Sequence, residues 1–221
     1  HTSCPRCVNN SSSQKEEELF AYVKSIIPDD IVIVRNDKEL LEGKEIDILI
    51  PEYSIGIEFN GLYWHGEAQG KHRNYHKEKY LQAQQKGVQL ITIWEDDWDE
   101  NKTIVQSMIA YKLKHSTGKK VYARKTSIHH IDISTARDFM NAYHIQGYTQ
   151  GSYYLGLYDN TGQLVAVSIW RKNKTSLYLD RYATSIQVVG GMGKFLSYVI
   201  KQSYHWGFNE IITFSDHEVS D

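Results

Sequence analysis

Glu45-Ile-Asp-Ile-Leu-Ile-Pro-Glu-Tyr-Ser-Ile-Gly-Ile-Glu-Phe-Asn-Gly-Leu-Tyr-Trp-His65 reads as two buried strands, 45–50 and 54–60, joined by a turn. Ile46, Ile48, Leu49 and Ile50 flank Asp47, while Ile55, Ile57 and Phe59 flank Glu58. A carboxylate inside such a run is costly to bury unless it is paired or binds a metal. Two of them on neighbouring strands make a divalent-cation site, because hard cations take carboxylate oxygen. Glu58 and Asn60 stand two apart on one strand and so share a face. His65, just beyond the strand, adds an imidazole able to move a proton or hydrogen-bond a phosphate. Metal-assisted phosphodiester hydrolysis needs this set of groups. The alternative for Asp47 is a structural pair with Lys44 or Arg35.

Upstream, Ser13-Gln-Lys-Glu16 is a capping box that starts a helix, with Leu19, Phe20, Val23, Ile26 and Ile27 as its apolar face. Glu16 shares that face and can point inward, although a capping-box glutamate needs no other role. Pro28 ends the helix, and 31–34 reads as a short strand. Downstream, 66–72 reads as a loop and 74–86 as a helix that stops at Gly87. His76 and Lys79 are neighbours on that helix at i and i+3. Lys79 belongs either to a solvated face or beside the scissile phosphate, where its charge would stabilise the transition state. Residues 88–94 form a buried strand that Glu95-Asp-Asp97 leaves, and 101–114 a helix with Ile104, Met108 and Tyr111 on one face. Trp64 and Trp94 are base-wedging aromatics or core.

The basic turn over 112–120 marks a boundary between domains at 13–117 and 118–221. The second half reads as a strand over 121–128, a helix capped by Ser134 with Ala136, Phe139, Met140 and Tyr143 aligned, and a meander of strands over 153–158, 164–170 and 176–181. The meander turns fall at Asp159-Asn-Thr-Gly162 and Lys172-Asn-Lys174. Gly190-Gly-Met-Gly193 opens a helix to about His205, and a strand follows over 210–214.

At 221 residues the chain has room for such a pair of domains. With 41% hydrophobic and 24% charged residues it has the composition of a globular protein, and no run approaches a membrane span. The net charge of −2 excludes little, since acids gathered at a metal site mask a basic patch in the sum. Cys4 and Cys7 form one CxxC at the N-terminal end. A zinc ribbon needs a second ligand pair, so 1–12 reads as the trailing half of a zinc knuckle and a linker, and Zn2+ as held at an incomplete site.

Five motifs, in order and spacing, resemble the very-short-patch-repair (Vsr) endonucleases of the PD-(D/E)xK superfamily. They are Glu16, Gly43-Lys-Glu-Ile-Asp47, Ile57-Glu-Phe-Asn-Gly-Leu-Tyr-Trp-His65, Tyr75-His-Lys-Glu-Lys79 and Gly87-Val-Gln-Leu-Ile-Thr-Ile-Trp-Glu95. The Gly61-Leu-Tyr-Trp-His65 and Ile91-Thr-Ile-Trp-Glu-Asp96 phrasings look closer still to phage-encoded homing endonucleases of this fold. The resemblance implies a mixed sheet flanked by helices, Mg2+ on Asp47 and Glu58, double-stranded DNA as substrate, and a cytoplasmic location, that of the host if phage-encoded. It implies catalytic roles for Glu16, Asp47 and His65, and Glu58, His76 and Lys79 join them as catalytic candidates from the reading of the residues themselves. Three departures stand out. Asn60 replaces both the repair enzyme's second histidine and the usual strand lysine. His76 replaces an acid on the following helix. Glu58 is apolar in the repair enzyme and rests on the wider superfamily pattern.

The second half resembles the GNAT acyltransferases and the phage Mom DNA-modification proteins through Tyr122-Ala-Arg-Lys125, Phe139 to Gly147 and Val188 to Lys194. A glycine loop there would cradle a pyrophosphate at a helix N-terminus. The acyltransferase pattern, Arg/Gln-x-x-Gly-x-Gly/Ala, meets Met192 at its last position in Gln187-Val-Val-Gly-Gly-Met192, and the fold would need strands beyond Asp221. Arg124, Lys125, Arg171, Lys172 and Lys174 offer charge for phosphate contacts, with Asn60 and Trp64 as further DNA contacts. The expectation is an α/β metal-dependent DNA endonuclease with a truncated GNAT-like second domain. The alternatives are a mismatch-nicking repair enzyme, a DNA-modifying acyltransferase, and a DNA-binding module without turnover; a homodimer stays open.

Overall fold

The computed structural model describes residues 14–61, 69–115 and 118–213, and of 69–74 the backbone alone. The chain divides between His115 and Ser116 into two compact units. Cys4, Cys7, Ser13, Trp64 and His65 lie outside the described residues.

The first unit runs α1 (Gln14–Ile26), β1 (Val34–Leu41), β2 (Lys44–Ile50), β3 (Ile55–Asn60), α2 (Gln69–Gln85), β4 (Gln89–Trp94), α3 (Glu95–Glu100) and α4 (Lys102–Lys112). Its sheet has the order β1-β2-β3-β4. The first three strands are antiparallel, and β4 returns parallel to β3 after the α2 crossover. The apolar runs of β2, β3 and β4 supply the buried Ile46, Ile48, Ile50, Ile57, Ile91 and Ile93. Glu42 and Gly43, both at positive φ, make the tight turn between β1 and β2.

Several expectations are corrected. The strand expected at 31–34 begins at Val34 and runs to Leu41, because Val-Arg-Asn-Asp-Lys-Glu-Leu-Leu is a mostly exposed edge strand with little apolar alternation to reveal it. The loop expected at 66–72 gives way to helix from Gln69. Glu95 to Glu100 forms a helix that buries Trp98, with its acids in the favourable first turn. On α4 the buried row is Val105, Ile109 and Leu113, and Tyr111 faces solvent.

Gly56 sets how closely the layers approach. A Cβ there would lie 2.9 Å from Leu90 Cδ1 and 3.1 Å from Ile46 Cγ2, in the cluster that includes Ala83 of α2. Gly56→Val is expected to cost about 2 kcal/mol through overpacking, read as a lower urea midpoint at unchanged slope.

The second unit runs β5 (Lys120–Tyr122), β6 (Ser127–His130), α5 (Ile133–Tyr143), β7 (Tyr153–Tyr158), β8 (Leu164–Asn173), β9 (Ser176–Thr184), β10 (Gln187–Val189), α6 (Gly191–Trp206) and β11 (Glu210–Thr213). The main sheet has the order β11-β9-β8-β7-β6, and β10 pairs in parallel with β5. Ala136, Phe139 and Met140 of α5 pack with Tyr154, Val167, Ile169 and Ala183. Phe195 and Val199 of α6 pack with a separate set that includes Leu155, Leu157, Trp170 and Leu177. The single strand expected over 121–128 is split by a 3-10 turn at Ala123–Lys125. The cap of α5 is Asp132, whose carboxylate accepts from Thr135 N at 2.8 Å, and not Ser134, which lies inside the helix. Tyr143 is 44% exposed, outside the buried stripe. The turn between β8 and β9 is Lys174-Thr175, with Lys174 at φ 53°, one step past the expected position.

Candidate active site

The register of β3 with β4 pairs Gly56 with Leu90, Glu58 with Thr92, and Asn60 with Trp94. Alternation places these residues on one face, and α2 covers it. Ala83 lies in one cluster with Leu90. Lys79, one turn nearer the start of α2, bonds through Nζ to Glu58 Oε2. His76, a turn further, meets Trp94 edge-on with ring centroids 5.7 Å apart. The face therefore changes from apolar to ionic to aromatic as β3 approaches its end at Asn60.

Glu58 and Lys79 are among the few buried charged residues, at 6% and 5% exposure. Burial, then the nearby charge of Asp47, raises the Glu58 carboxyl to about 7; the Lys79 ammonium acts the other way. Asp47, on β2, is half-buried. Its Oδ2 accepts a 2.7 Å hydrogen bond from Phe59 N. The pairing of β2 with β3 ends at Ile48 opposite Ile57, and the Asp47 carboxylate takes up a backbone donor just past it. Burial raises the Asp47 carboxyl, and the Phe59 N–H and the Lys79 charge oppose the rise.

Two buried polar atoms of this face have no hydrogen-bond partner: Glu58 Oε1 and Asn60 Nδ2. Buried polar groups are nearly always bonded, so an acceptor and a donor left open on adjacent same-face positions need explanation. A divalent cation fits the first. Glu58 Oε1 is open beside Asp47, and Mg2+ is commonly held by one or two carboxylates with water completing its shell. Among the described residues no group of three or more His, Cys, Asp or Glu gathers as a metal site, so the protein ligands in view are these two carboxylates.

Arg35, considered in the sequence only as a partner of Asp47, has a larger place. It stands opposite Ile48 in the pairing of β1 with β2. It bonds both oxygens of Glu17, at 2.6 and 3.1 Å, and lies 3.9 Å from Glu16 Oε1. Its charge also acts on Asp47. The guanidinium so connects the acids of α1 with the site acid of β2. Glu16 lies at this ion pair, with its side chain 19% exposed.

The basic residues of the second unit separate into two kinds. Arg171 is bound through Nε and Nη2 to Asp180, at 2.6 and 3.0 Å, which answers its charge. Lys125, Lys172 and Lys174 are exposed. Arg124 lies over the Tyr122 ring at 5.1 Å. Tyr122, Arg124, Val189, Gly190, Gly193 and Lys194 line part of an open cavity of about 400 Å³. Gly190, at φ 78°, precedes α6 without a side-chain cap. Lys194 Nζ bonds Ala123 O at 2.8 Å and also Thr126, fastening α6 to the 3-10 turn.

The described chain is thus two mixed α/β units, the first with a buried acid–lysine site at one end of its sheet. No family model and no curated protein matches the sequence. Solved structures are similar to parts of it. The catalytic domain of the homing endonuclease I-Bth0305I is 22% identical with a TM-score of 0.36, covering 47% of this chain and 98% of that one. The aminoglycoside antibiotic 6'-N-acetyltransferase AAC(6')-Ih from Acinetobacter baumannii is 12% identical with a TM-score of 0.28, covering 41% and 80%. L-PGS from Bacillus licheniformis is 11% identical with a TM-score of 0.29, covering 87% and 76%. Among the described residues no helix is long and apolar enough to cross a membrane.

Proposed function

We propose that the first unit is a Vsr-like, Mg2+-dependent endonuclease that hydrolyses phosphodiester bonds of double-stranded DNA, as a site-specific enzyme of the homing type. The observation that carries this reading is the Glu58 carboxylate, buried beside Asp47 and Lys79 with one oxygen unsatisfied. A folded domain has little reason to keep such a carboxylate unless something binds it. The order α-β-β-β-α-β of the first unit, and the resemblance of its motifs to those of Vsr-like nucleases, support the same reading.

Asp47 and Glu58 would hold the cation, which would neutralise phosphate charge and acidify a water. The hydrogen bond from Phe59 N would hold the Asp47 carboxylate in place before the ligand arrives. Lys79 supplies a fixed positive charge where negative charge grows in the transition state. His76, seated against Trp94, would contact a phosphate, and Glu16 would act on the site through Arg35. His65 is assigned acid–base duty from its motif alone. Arg124, Lys125, Lys172 and Lys174 would add phosphate contacts from the second unit.

The test is incubation of supercoiled plasmid with Mg2+, with EDTA, and with Asp47→Ala. Nicking or linearisation that needs Mg2+ and falls about 10³-fold in the variant is expected, since a metal contributes several kcal/mol of charge stabilisation. DNA binding without cleavage in any metal would instead identify a binding module, and cleavage confined to mismatched duplex a repair enzyme.

A further inference from the structure

We propose that Asn60 is a catalytic residue of this site, whose side-chain amide N–H donates to a non-bridging oxygen of the scissile phosphate. The inference rests on the nuclease reading above. Asn60 Nδ2 is buried and without a partner. It stands on the same face of β3 as Glu58, at the level where Trp94 and His76 meet. A buried amide donor demands an acceptor, and leaving it open is costly.

Among the described residues the groups of this face do not supply one. Glu58 offers Oε1, yet that oxygen is also without a hydrogen bond, so the two atoms do not satisfy each other. Lys79 is a donor and is engaged by Glu58 Oε2. What fits beside a cation-binding carboxylate and takes a hydrogen bond from an amide is an anionic oxygen. A phosphodiester presents two, and a transition state with more charge on them strengthens the bond. The side chain is neutral and cannot exchange a proton near neutrality, so its contribution is electrostatic rather than acid–base.

The same position would carry a lysine in the wider superfamily pattern. Here the ammonium comes from α2 and the amide from β3, so positive charge and directional donation are divided between two side chains.

The experiment compares wild type, Asn60→Ala, Asn60→Asp and Asn60→Ser in single-turnover plasmid cleavage with Mg2+. DNA affinity is measured in parallel by anisotropy in Ca2+, and folding by thermal melts. Asn60→Ala is expected to lower the cleavage rate about 100-fold, the loss typical of one transition-state donor, with DNA affinity changed less than about threefold. Asn60→Asp is expected to fall further by setting a carboxylate against the phosphate, and Asn60→Ser to recover part of the loss. A phosphorothioate at the cleaved bond, in one diastereomer, is expected to slow wild type more than Asn60→Ala. Equal slowing in both proteins, or an Asn60→Ala enzyme that cuts at the wild-type rate, overturns the proposal and leaves the nuclease reading intact. Absence of metal-dependent cleavage in wild type overturns both. Loss of folding in Asn60→Ala with full activity in Asn60→Asp assigns the residue to structure and overturns the proposal.

Discussion

Glu58→Gln is expected to reduce Mg2+-dependent cleavage by about 10³-fold while making the metal-free protein more stable at alkaline pH. The activity loss follows from replacing the proposed cation ligand by a neutral amide of the same shape. The stability gain follows from the raised carboxyl. Its ordinary value is 4.5 and its folded value about 7. Between those values the folded state holds a proton that the unfolded state has released, so wild-type stability falls as pH rises through this window. Above about pH 8 the full penalty applies, and at ~1.4 kcal/mol per unit it is on the order of 3 kcal/mol. Glutamine resembles the protonated acid at every pH, so the two proteins should melt together near pH 4.5 and separate progressively up to pH 8. Urea titrations in EDTA at several pH values measure the difference. A variant less stable than wild type at pH 8 would show that the pair with Lys79 outweighs burial, and that Glu58 is a structural acid.

The strands that carry Asp47 and Glu58 were legible because apolar runs bounded by a turn admit few other readings. The edges of the first unit were not. Residues 34–41 are polar on both sides, and only pairing with Lys44–Ile50 makes them a strand. On α4, Ile104/Met108 and Val105/Ile109/Leu113 both satisfy helical spacing, and packing against the rest of the unit decides between them. The position of Lys79 was out of reach for a related reason. The sequence of α2 is polar around most of its circumference, and lysine is ordinarily a surface residue. Its i, i+3 relation to His76 could be read, but that this row faces the sheet could not. Arg35 was obscured in the same way, since its role depends on a strand that the pattern does not reveal.

Lys79→Met tests whether that lysine is only a counter-ion. Without the ammonium the buried Glu58 carboxyl keeps its proton rather than its charge, and giving up ionisation one pH unit above the wild-type value of about 7 costs about 1.4 kcal/mol. This cost is expected at pH 8, where wild-type Glu58 is largely ionised. At pH 5.5 the carboxyl already carries its proton, this cost vanishes, and only that of a volume-conserving swap remains, below about 1.5 kcal/mol at either pH. In the Glu58→Gln background, Lys79→Met should cost the same at either pH, so the double-mutant cycle gives a coupling energy that rises by about 1.4 kcal/mol between pH 5.5 and pH 8. A coupling independent of pH would mean that the two side chains are joined by packing rather than charge. Cleavage separates the remaining roles. A cation on Glu58 can replace the ammonium as its counter-charge, so a lysine with no other duty would be dispensable at saturating Mg2+. The expected result is a rate about 100-fold down under those conditions, because in the proposed mechanism the Lys79 charge acts on the phosphate directly.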